Sequence, residues 1–260
     1  MNVREALRDT EERLARAGVD TPRVDAELLL AHVLGTTRSG VYAHLDESVD
    51  GALEPLLARR ERREPLAYVL GEWGFRRLVL KTDARALVPR PETEIVVDRC
   101  LALLDGVELP RVLDLGVGSG AIALALKDER PDARVVGVDV SQDALSLARE
   151  NADALGLSVD LHEGGVSAAA EGWDLVVSNP PYVDTLEGLQ PELGFEPRQA
   201  LVGDGLHAEI ALTASTRLLV FEVGAGQAPG VAEVLRESGY RDVATTRDLA
   251  GVERVVEGRR

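Results

Sequence analysis

Over the first 64 residues, apolar positions recur at the spacing of an α-helix and are separated by charged ones. Pro22 suits the first helical turn after the N-cap residue Thr21, and Gly35 is typical of a helix end. The apolar residues of the predicted helices are Val3, Leu7 and Leu14, then those within residues 24–34, then Leu53, Leu56 and Leu57. The pattern predicts an all-helical N-terminal domain.

The last of these helices ends in a dense run of charge, Arg59-Arg60-Glu61-Arg62-Arg63. A charged stretch of a helix is usually a solvated face, and we favour that interpretation. The alternative is a contact surface for a macromolecular partner. Both interpretations stay open at the level of the sequence.

Beyond Pro65 the pattern changes to short apolar runs separated by turn residues. Two of these runs predict a β-hairpin that joins two domains: Glu72-Trp73-Gly74-Phe75 and Leu78-Val79-Leu80. Residues 87–94, Leu-Val-Pro-Arg-Pro-Glu-Thr-Glu, then predict a stiff loop that leads into a helix ending near residue 104. We expect Pro91 in the first turn of that helix, with Glu92 and Glu94 near the positive end of its dipole.

After Pro110, predicted strands and helices alternate, which is the rhythm of a doubly wound α/β sheet. Predicted strands lie at residues 111–115, 135–139, 159–161, 175–177 and 218–222, with two closing strands near Val243 and over 252–256. Predicted helices begin at Ala121 and after the capping residue Ser141, and another includes residues 231–235. We place the helical domain at residues 1–70, a hairpin linker at 71–85 and the α/β domain at 86–260.

Charge narrows the class of partner. Lys+Arg 29 against Asp+Glu 45 gives a formal net charge of -16. Tight, non-specific binding to nucleic acid relies on clustered cations, so this balance argues against a nucleic-acid partner, although a local basic patch is still allowed. The same charge favours a basic protein partner.

Cys100 is the only cysteine, so the chain cannot form an internal disulfide. It lies in an apolar stretch predicted to be helical, where we expect a buried, inert thiol. The four histidines lack the spacing of metal ligands, and we expect no metal site. The N-terminus lacks an apolar signal core, and no apolar run approaches membrane-spanning length. We therefore expect a soluble cytoplasmic monomer that does not bind membranes.

The first candidate for chemistry is a glycine-rich turn between a predicted strand and a predicted helix, Asp114-x-Gly116-x-Gly118-x-Gly120. Its glycines let the backbone approach a ligand beside a helix N-terminus. With Ala121 the turn also satisfies the dinucleotide pattern G-x-G-x-x-A, and Asp139, about 20 residues further on, is placed to bind ribose hydroxyls in either case. The acid at position 114 and the third glycine make the spacing resemble that of S-adenosylmethionine-dependent class I methyltransferases.

The second candidate is Asn179-Pro180-Pro181-Tyr182, at the carboxyl end of a predicted strand, where open α/β sheets bind ligands. Each proline restricts the residue before it to extended geometry, so the turn is rigid. If the Asn179 side-chain oxygen and the Pro180 carbonyl both accept from a substrate NH2, they orient and polarise a poor nucleophile. Tyr182 would then stack on the substrate plane. The alternative is a diprolyl turn with only a structural role.

With these motifs in view, the chain resembles the release-factor glutamine methyltransferases of the HemK/PrmC family. The resemblance runs almost end to end and rests on Pro65-Leu66-Ala67-Tyr68 with Gly71, residues 87–94, residues 114–120, residues 179–182 and Phe195-Glu196-Pro197. Pro-Arg-Pro-Glu-Thr-Glu is the most specific of these motifs. The resemblance implies a Rossmann-like class I methyltransferase with a seven-stranded sheet, a small helical N-terminal domain and a connecting β-hairpin.

The same resemblance implies methyl transfer from S-adenosyl-L-methionine to the glutamine side-chain amide in the Gly-Gly-Gln loop of a class I peptide chain release factor. The product is S-adenosyl-L-homocysteine, and the N-terminal domain helps to grip the release factor. Cofactor contacts are expected at Asp114, Gly116, Val117, Gly118, Ser119, Gly120, Asp139, Gly165 and Asn179. Substrate contacts are expected at Asn179, Pro180, Pro181 and Tyr182, with Asn179, Pro180 and Tyr182 as the catalytic residues.

The chain departs from the family pattern in three places. Near the expected adenine site, Glu163-Gly164-Gly165 replaces the usual acid followed by a large side chain. The loop at residues 200–205 is compressed. Between Leu206 and Leu218 the chain is several residues shorter than expected and lacks the usual Pro-Gly-Gly before the strand, so we expect a shortened helix and strand at the far wall of the pocket.

Other functions use similar motifs. An adenine-N6 nucleic-acid methyltransferase would place an exocyclic amine in the same turn, but it should carry a basic stripe or a target-recognition domain. A ribosomal-protein glutamine methyltransferase differs mainly in the partner of its N-terminal domain. A non-catalytic adaptor with this fold is a third class, and a dinucleotide dehydrogenase lacks support because no hydride-transfer acid is evident.

Overall fold

The computed structural model describes residues 1–49, 51–183, 185, 187–203 and 205–260. Asp204, in the segment expected to be shortened, lies outside the described residues. The chain divides into two compact units, Met1–Glu72 with Leu189–Phe195, and Trp73–Gly188 with Glu196–Arg260. The return of Leu189–Phe195 to the N-terminal unit is a feature that the sequence prediction does not contain.

The N-terminal unit is helical, as predicted. Its helices are α1 (Val3–Arg16), α2 (Pro22–Leu34), α3 (Leu53–Glu61) and α4 (Leu66–Leu70), with short 3-10 helices at Gly40–Ala43 and Pro191–Phe195. Leu14, Leu29, Leu30 and Leu57 are fully buried in its core. Gly35 ends α2 in the left-handed conformation that glycine adopts readily.

The charged run at the end of α3 is largely internal to this unit. Arg60 is 6% exposed and donates to Asp25 at 2.7 Å and to Glu192 at 2.8 Å. Arg63 also donates to Glu192, and Arg59 donates to Glu64 and to backbone carbonyls of α4. The solvated-face interpretation is therefore wrong for Arg60 and Arg63, because both pair with Glu192 of Leu189–Phe195 and are largely shielded from solvent.

The predicted hairpin is present as β1 (Glu72–Phe75) and β2 (Leu78–Lys81). The next helix, α5, covers Thr93–Leu103. Pro91 precedes its N-cap residue Glu92 instead of lying in its first turn. Glu94 accepts a hydrogen bond from the backbone amide of Arg76, so its carboxylate is held by the hairpin turn.

The second unit contains the predicted seven-stranded sheet. Its strands are β3 (Arg111–Leu115), β4 (Arg134–Asp139), β5 (Asp160–Glu163), β6 (Trp173–Ser178), β7 (Thr216–Glu222), β8 (Arg241–Arg247) and β9 (Glu253–Arg259). They lie in the order β5-β4-β3-β6-β7-β9-β8, parallel as far as β7 and antiparallel beyond it. The order reverses between β3 and β6, and such a switch point opens a crevice at the carboxyl ends of the strands.

Helices cover both faces of the sheet because its strands are apolar on both sides. They are α6 (Ala121–Glu129), α7 (Gln142–Leu155), α8 (Arg198–Leu201), α9 (Leu206–Thr213) and α10 (Ala228–Glu237). One buried cluster joins the sheet to α5, α6 and α7, and a second joins it to α9 and α10. Cys100 lies in the first cluster, fully buried as predicted, and burial raises the pKa of its thiol.

Across the ranges that the structure describes, none of the helices combines the length and the apolar character that a membrane span requires.

Candidate active site

A cavity of about 220 Å³ opens at the carboxyl ends of β3, β4 and β6, which is where the strand order predicts a ligand site. Most of the residues expected to bind cofactor or substrate line it: Gly116, Val117, Gly118, Ser119, Asp139, Gly165, Asn179, Pro180 and Pro181. Asp114, Gly120 and Tyr182 are not among the described lining residues. The fold thus brings both sequence motifs to one cavity.

The glycine loop owes its shape to backbone conformation. Gly116, Gly118 and Gly120 have φ angles of +81°, +55° and +90°, a region that other residues rarely adopt. A Cβ at Gly116 or Gly118 would meet no atom within 4 Å, whereas one at Gly120 would lie 2.9 Å from Leu124. The first two glycines therefore leave open space beside the loop, and the third packs on α6.

Asp139 ends β4 and holds the loop as well as lining the cavity. One carboxylate oxygen accepts from the Gly118 amide and the other from the Ser141 amide, both at 2.9 Å. A carboxylate has about four acceptor sites, so two remain after these bonds. Asp139 can therefore organise the loop and still accept from a ligand hydroxyl.

Asp114 lies beneath the loop. It is 1% exposed, and its Oδ2 accepts from the Ala123 amide in the first turn of α6 at 3.0 Å. Its Oδ1 has no hydrogen-bond partner among the described residues. Burial raises the pKa of Asp114 to about 7, with a smaller contribution from the charge of Asp139. This geometry gives Asp114 a supporting position under the cofactor loop.

The raised pKa of Asp114 predicts a pH-dependent stability. Between pH 4 and pH 7 the native state keeps this proton and the unfolded state loses it, so stability falls as the pH rises through that window. Asp114→Asn keeps an acceptor for the Ala123 amide but has no proton to lose. We expect this variant to lack the Asp114 contribution to the slope of unfolding free energy against pH, which is at most about 1.4 kcal/mol per pH unit. Urea unfolding of both proteins from pH 5 to pH 8 measures the slopes, and equal slopes would contradict the raised pKa of Asp114.

Asn151, on α7, is a buried residue that the sequence analysis missed. Its Oδ1 accepts from the Lys81 amide at 2.7 Å, and its Nδ2 donates to the carbonyls of Lys81 and Ser119. These bonds join the hairpin strand β2 to the glycine loop. A polar residue among the apolar positions of a predicted helix was the available signal.

The Asn-Pro-Pro-Tyr turn leaves the sheet from the end of β6. Ser178 donates to the Leu115 carbonyl at 2.6 Å, which joins the ends of β6 and β3. Tyr182 accepts through its backbone carbonyl from Gln227 at 2.9 Å, and a Cβ at Gly224 would lie 3.0 Å from its ring. Burial raises the pKa of Tyr182 to about 12, so the phenol is neutral at pH 7.

Two of the other sequence motifs meet at the cavity, where Val88, Arg90 and Pro197 are among the lining residues. Glu196, whose side chain is fully buried, accepts from the Val88 amide at 2.9 Å and from the guanidinium of Arg90. Farther along the same loop, Thr93 donates to Glu222 at 2.6 Å. Residues of the Leu-Val-Pro-Arg-Pro-Glu-Thr-Glu stretch are thus bonded to residues more than 100 positions away.

The far wall of the cavity is formed by residues in the region of α8 and α9. Ala200, Leu206 and Ile210 come from the segment expected to be shortened, and Pro197 and Gln199 lie just before it. At the other end, Gly164, Gly165 and the exposed side chain of Val140 line the cavity, while Glu163 accepts from Gln142 outside it. Near the expected adenine site, the cavity is therefore lined by an apolar side chain and by backbone atoms, and not by the acidic side chain of Glu163.

The residues present fit S-adenosyl-L-methionine. Open space beside Gly116 and Gly118 leaves room for a ligand, and Asp139 keeps free acceptor sites at the same place. The lining is mainly apolar, and Asp139 is the one acid among its described residues.

Comparisons with known proteins identify the family of the chain. Residues 5–71 match the PrmC N-terminal domain family and residues 98–205 match the methyltransferase small domain family. The chain is 41% identical over 275 residues to a release factor glutamine methyltransferase of Geobacter sulfurreducens, covering 99% of this chain and 96% of the relative. For the Deinococcus radiodurans protein of the same name, identity is 42% over 278 residues, with 100% and 99% covered.

Among solved structures, the human methyltransferase 10 domain containing protein has a TM-score of 0.53 and 18% identity, and 69% of this chain and 87% of that chain are covered. At that identity the likeness shows the methyltransferase fold alone. The relatives decide the family, because their similarity extends over nearly the whole chain at about 40% identity. This protein belongs to the release factor glutamine methyltransferase family.

Proposed function

We propose that this protein transfers a methyl group from S-adenosyl-L-methionine to the side-chain amide nitrogen of the glutamine in the Gly-Gly-Gln motif of a class I peptide chain release factor. The single observation that supports it best is the shared cavity. Asn179, Pro180 and Pro181 line the same space as the glycine loop and Asp139, so a methyl donor and an amide acceptor have adjoining places. The protein's partner would be a translation factor, which favours a cytoplasmic location.

When bound, S-adenosyl-L-methionine supplies a methyl group on a positively charged sulfur. The chain's own contribution is to orient the amide, whose nitrogen lone pair is delocalised. The Asn179 side-chain oxygen and the Pro180 carbonyl would accept from the two N–H groups, and the apolar lining would exclude water. A nitrogen that is forming a new bond becomes acidic, so no side chain has to remove a proton beforehand.

Asp139→Ala should weaken binding of S-adenosyl-L-methionine by at least about tenfold, or about 1.4 kcal/mol. The substitution removes acceptors for ribose hydroxyls and also releases the amides of Gly118 and Ser141 that shape the loop. Calorimetric titration measures the affinity. Asp143→Ala, at an exposed position in the first turn of α7, is the matched control and should bind normally. Equal affinity of the Asp139 variant and the wild type would remove Asp139 from the cofactor site.

The proposed function is tested with purified protein, radiolabelled S-adenosyl-L-methionine and a class I release factor. We expect label on the release factor, and mass spectrometry should place one methyl group on the glutamine of Gly-Gly-Gln. A release factor carrying alanine in place of that glutamine should stay unlabelled. Ribosomal proteins and adenine-containing oligonucleotides test the two rival substrates. An unlabelled release factor, with an active family member as positive control, would overturn the proposal.

A further inference from the structure

Glu222 is a buried acid at the end of β7 that no sequence motif singled out. It is 2% exposed and does not line the cavity among the described residues. The register of the sheet pairs Ser178 of β6 with Phe221 of β7. The residues that come next, Asn179 and Glu222, therefore lie side by side at the carboxyl ends of these two parallel strands. The fold thereby sets a carboxyl group directly beside the residue expected to hold the substrate amide.

Residues from three elements come together at this point. Thr93, in the first turn of α5, donates its hydroxyl to Glu222 Oε2 at 2.6 Å. Asn179 is the neighbour of Glu222 across the parallel register of β6 and β7, and its side chain lowers the pKa of the Glu222 carboxyl group. Thr93 and Asn179 both line the cavity, and Glu222 lies behind them.

The chemistry of these groups sets the orientation of Asn179. A carboxylate only accepts hydrogen bonds, whereas a carboxamide has a donating and an accepting end. Asn179 must therefore direct its NH2 to Glu222, which leaves its oxygen for the cavity. A side chain that could donate at position 222 would permit the opposite orientation, with the NH2 towards the substrate.

We propose that Glu222 is a positioning residue for methyl transfer: it holds the Asn179 carboxamide with its oxygen towards the substrate, and Thr93 orients Glu222. This inference rests on the proposed function, because the oxygen matters only for a substrate that brings N–H groups. It also supplies a basis for specificity, since an accepting oxygen favours glutamine over the isosteric glutamate, whose carboxylate it would repel.

The charge state of Glu222 makes the arrangement sensitive to pH. Burial and the charge of Glu92 raise the pKa of Glu222, while Thr93, Arg254 and Asn179 lower it, and the net result is a pKa raised to about 7. Tyr182 is neutral at pH 7, and His207 contacts the Glu222 backbone carbonyl at 3.0 Å rather than its carboxyl group. Only the ionised form accepts from both neighbours, so turnover should rise with pH around 7.

Substitutions at Glu222 and Thr93 test the proposal through kcat, KM and the pH profile. In Glu222→Gln we expect kcat to fall by about 100-fold, as when one preorganised polar group is lost. The rise of kcat near pH 7 should be absent, and the affinity for S-adenosyl-L-methionine should stay within about threefold of the wild type. Thr93→Val should shift the rise of kcat to higher pH because a bond that stabilises the carboxylate is removed, and Thr93→Ser should return it to the pH seen in the wild type.

Glu257→Gln is the matched control, because Glu257 is also a buried, hydrogen-bonded glutamate of this sheet but pairs with Arg99. Its kcat should match that of the wild type. A Glu222→Gln enzyme with the kcat and pH profile of the wild type would overturn the positioning role.

A second measurement separates this inference from the proposed function. In ¹⁵N-labelled protein, the side-chain NH2 signal of Asn179, assigned by its loss in Asn179→Asp, should titrate near pH 7 and should stop titrating in Glu222→Gln. If the wild type fails to methylate a release factor, the proposed function fails while this titration still decides the Glu222 contact. The contact between Asn179 and Glu222 would be refuted if the Asn179 NH2 signal did not change with pH, or if it titrated equally in the wild type and in Glu222→Gln.

Discussion

Asn179→Ala is expected to abolish methyl transfer, with at least a thousandfold loss in kcat as an order of magnitude, while leaving affinity for S-adenosyl-L-methionine within roughly tenfold. The substitution removes the carboxamide oxygen that is proposed to accept from the substrate amide. The Pro180 carbonyl remains, but a single acceptor does not orient both N–H groups of a planar NH2. The glycine loop and Asp139, which make up most of the expected cofactor contacts, are unchanged.

Single-turnover transfer of label to a release factor, together with calorimetry for the cofactor, measures the two effects separately. Asn2→Ala is a suitable control, since Asn2 caps α1 in the helical unit and accepts from the Glu5 amide at 2.9 Å. That variant should lose about 1 kcal/mol of stability and keep its kcat. A fully active Asn179→Ala enzyme would remove the mechanism proposed for this turn.

Arg60→Leu is expected to destabilise the helical unit by about 3–5 kcal/mol. The arginine is 6% exposed and pairs with Asp25, itself 4% exposed, and with Glu192. Leucine at this position would leave the Asp25 carboxylate buried without its cation, and removing one member of a buried pair costs far more than the pair contributes. Glu192 would keep Arg63, so the damage should centre on Asp25 and α3.

Amide hydrogen exchange in α1, α2 and α3 measures this loss locally, without assuming that the two units unfold together. Arg62→Leu is the matched control, because Arg62 lies in the same run but is exposed; we expect a change within about 0.5 kcal/mol. Equal protection of α3 in both variants would show that the Arg60 pairs contribute little.

The contacts of Glu196 and Glu222 give a physical reason for the Pro-Arg-Pro-Glu-Thr-Glu stretch. Arg90 and the Val88 amide bind Glu196, and Thr93 binds Glu222. The stretch therefore holds the loop before α5 against two later parts of the chain, one of which, Glu222, lies beside Asn179 in the sheet register. Its stiffness, which the prolines predict, keeps those donors in place.

Local pattern determined much of this protein in advance. Apolar runs with turn residues between them predicted the strands of the sheet to within a few residues. For the central strands β3, β4, β6 and β7 the reason is that a strand buried on both faces needs such a run. The glycines at 116, 118 and 120 predicted a loop whose backbone a ligand can approach, and their positive φ angles are ones that other residues rarely adopt. The helix starts at Pro22 and after Ser141 were predicted from adjacent residues: Pro22 lies in the first turn of α2 and Ser141 accepts from the Ala144 amide, whereas the Thr21 side chain makes no cap bond.

Tertiary structure decided what local pattern does not contain, namely which distant groups meet. Arg60 looked like a surface charge, but Leu189–Phe195 returns to the helical unit and buries it with Glu192. Glu222 looked like the polar end of a strand, but the parallel register with β6 sets it beside Asn179. The physical reason is the same in both cases: burial and hydrogen-bond partners depend on how separate elements pack, whereas helix, strand and turn preferences depend on adjacent residues.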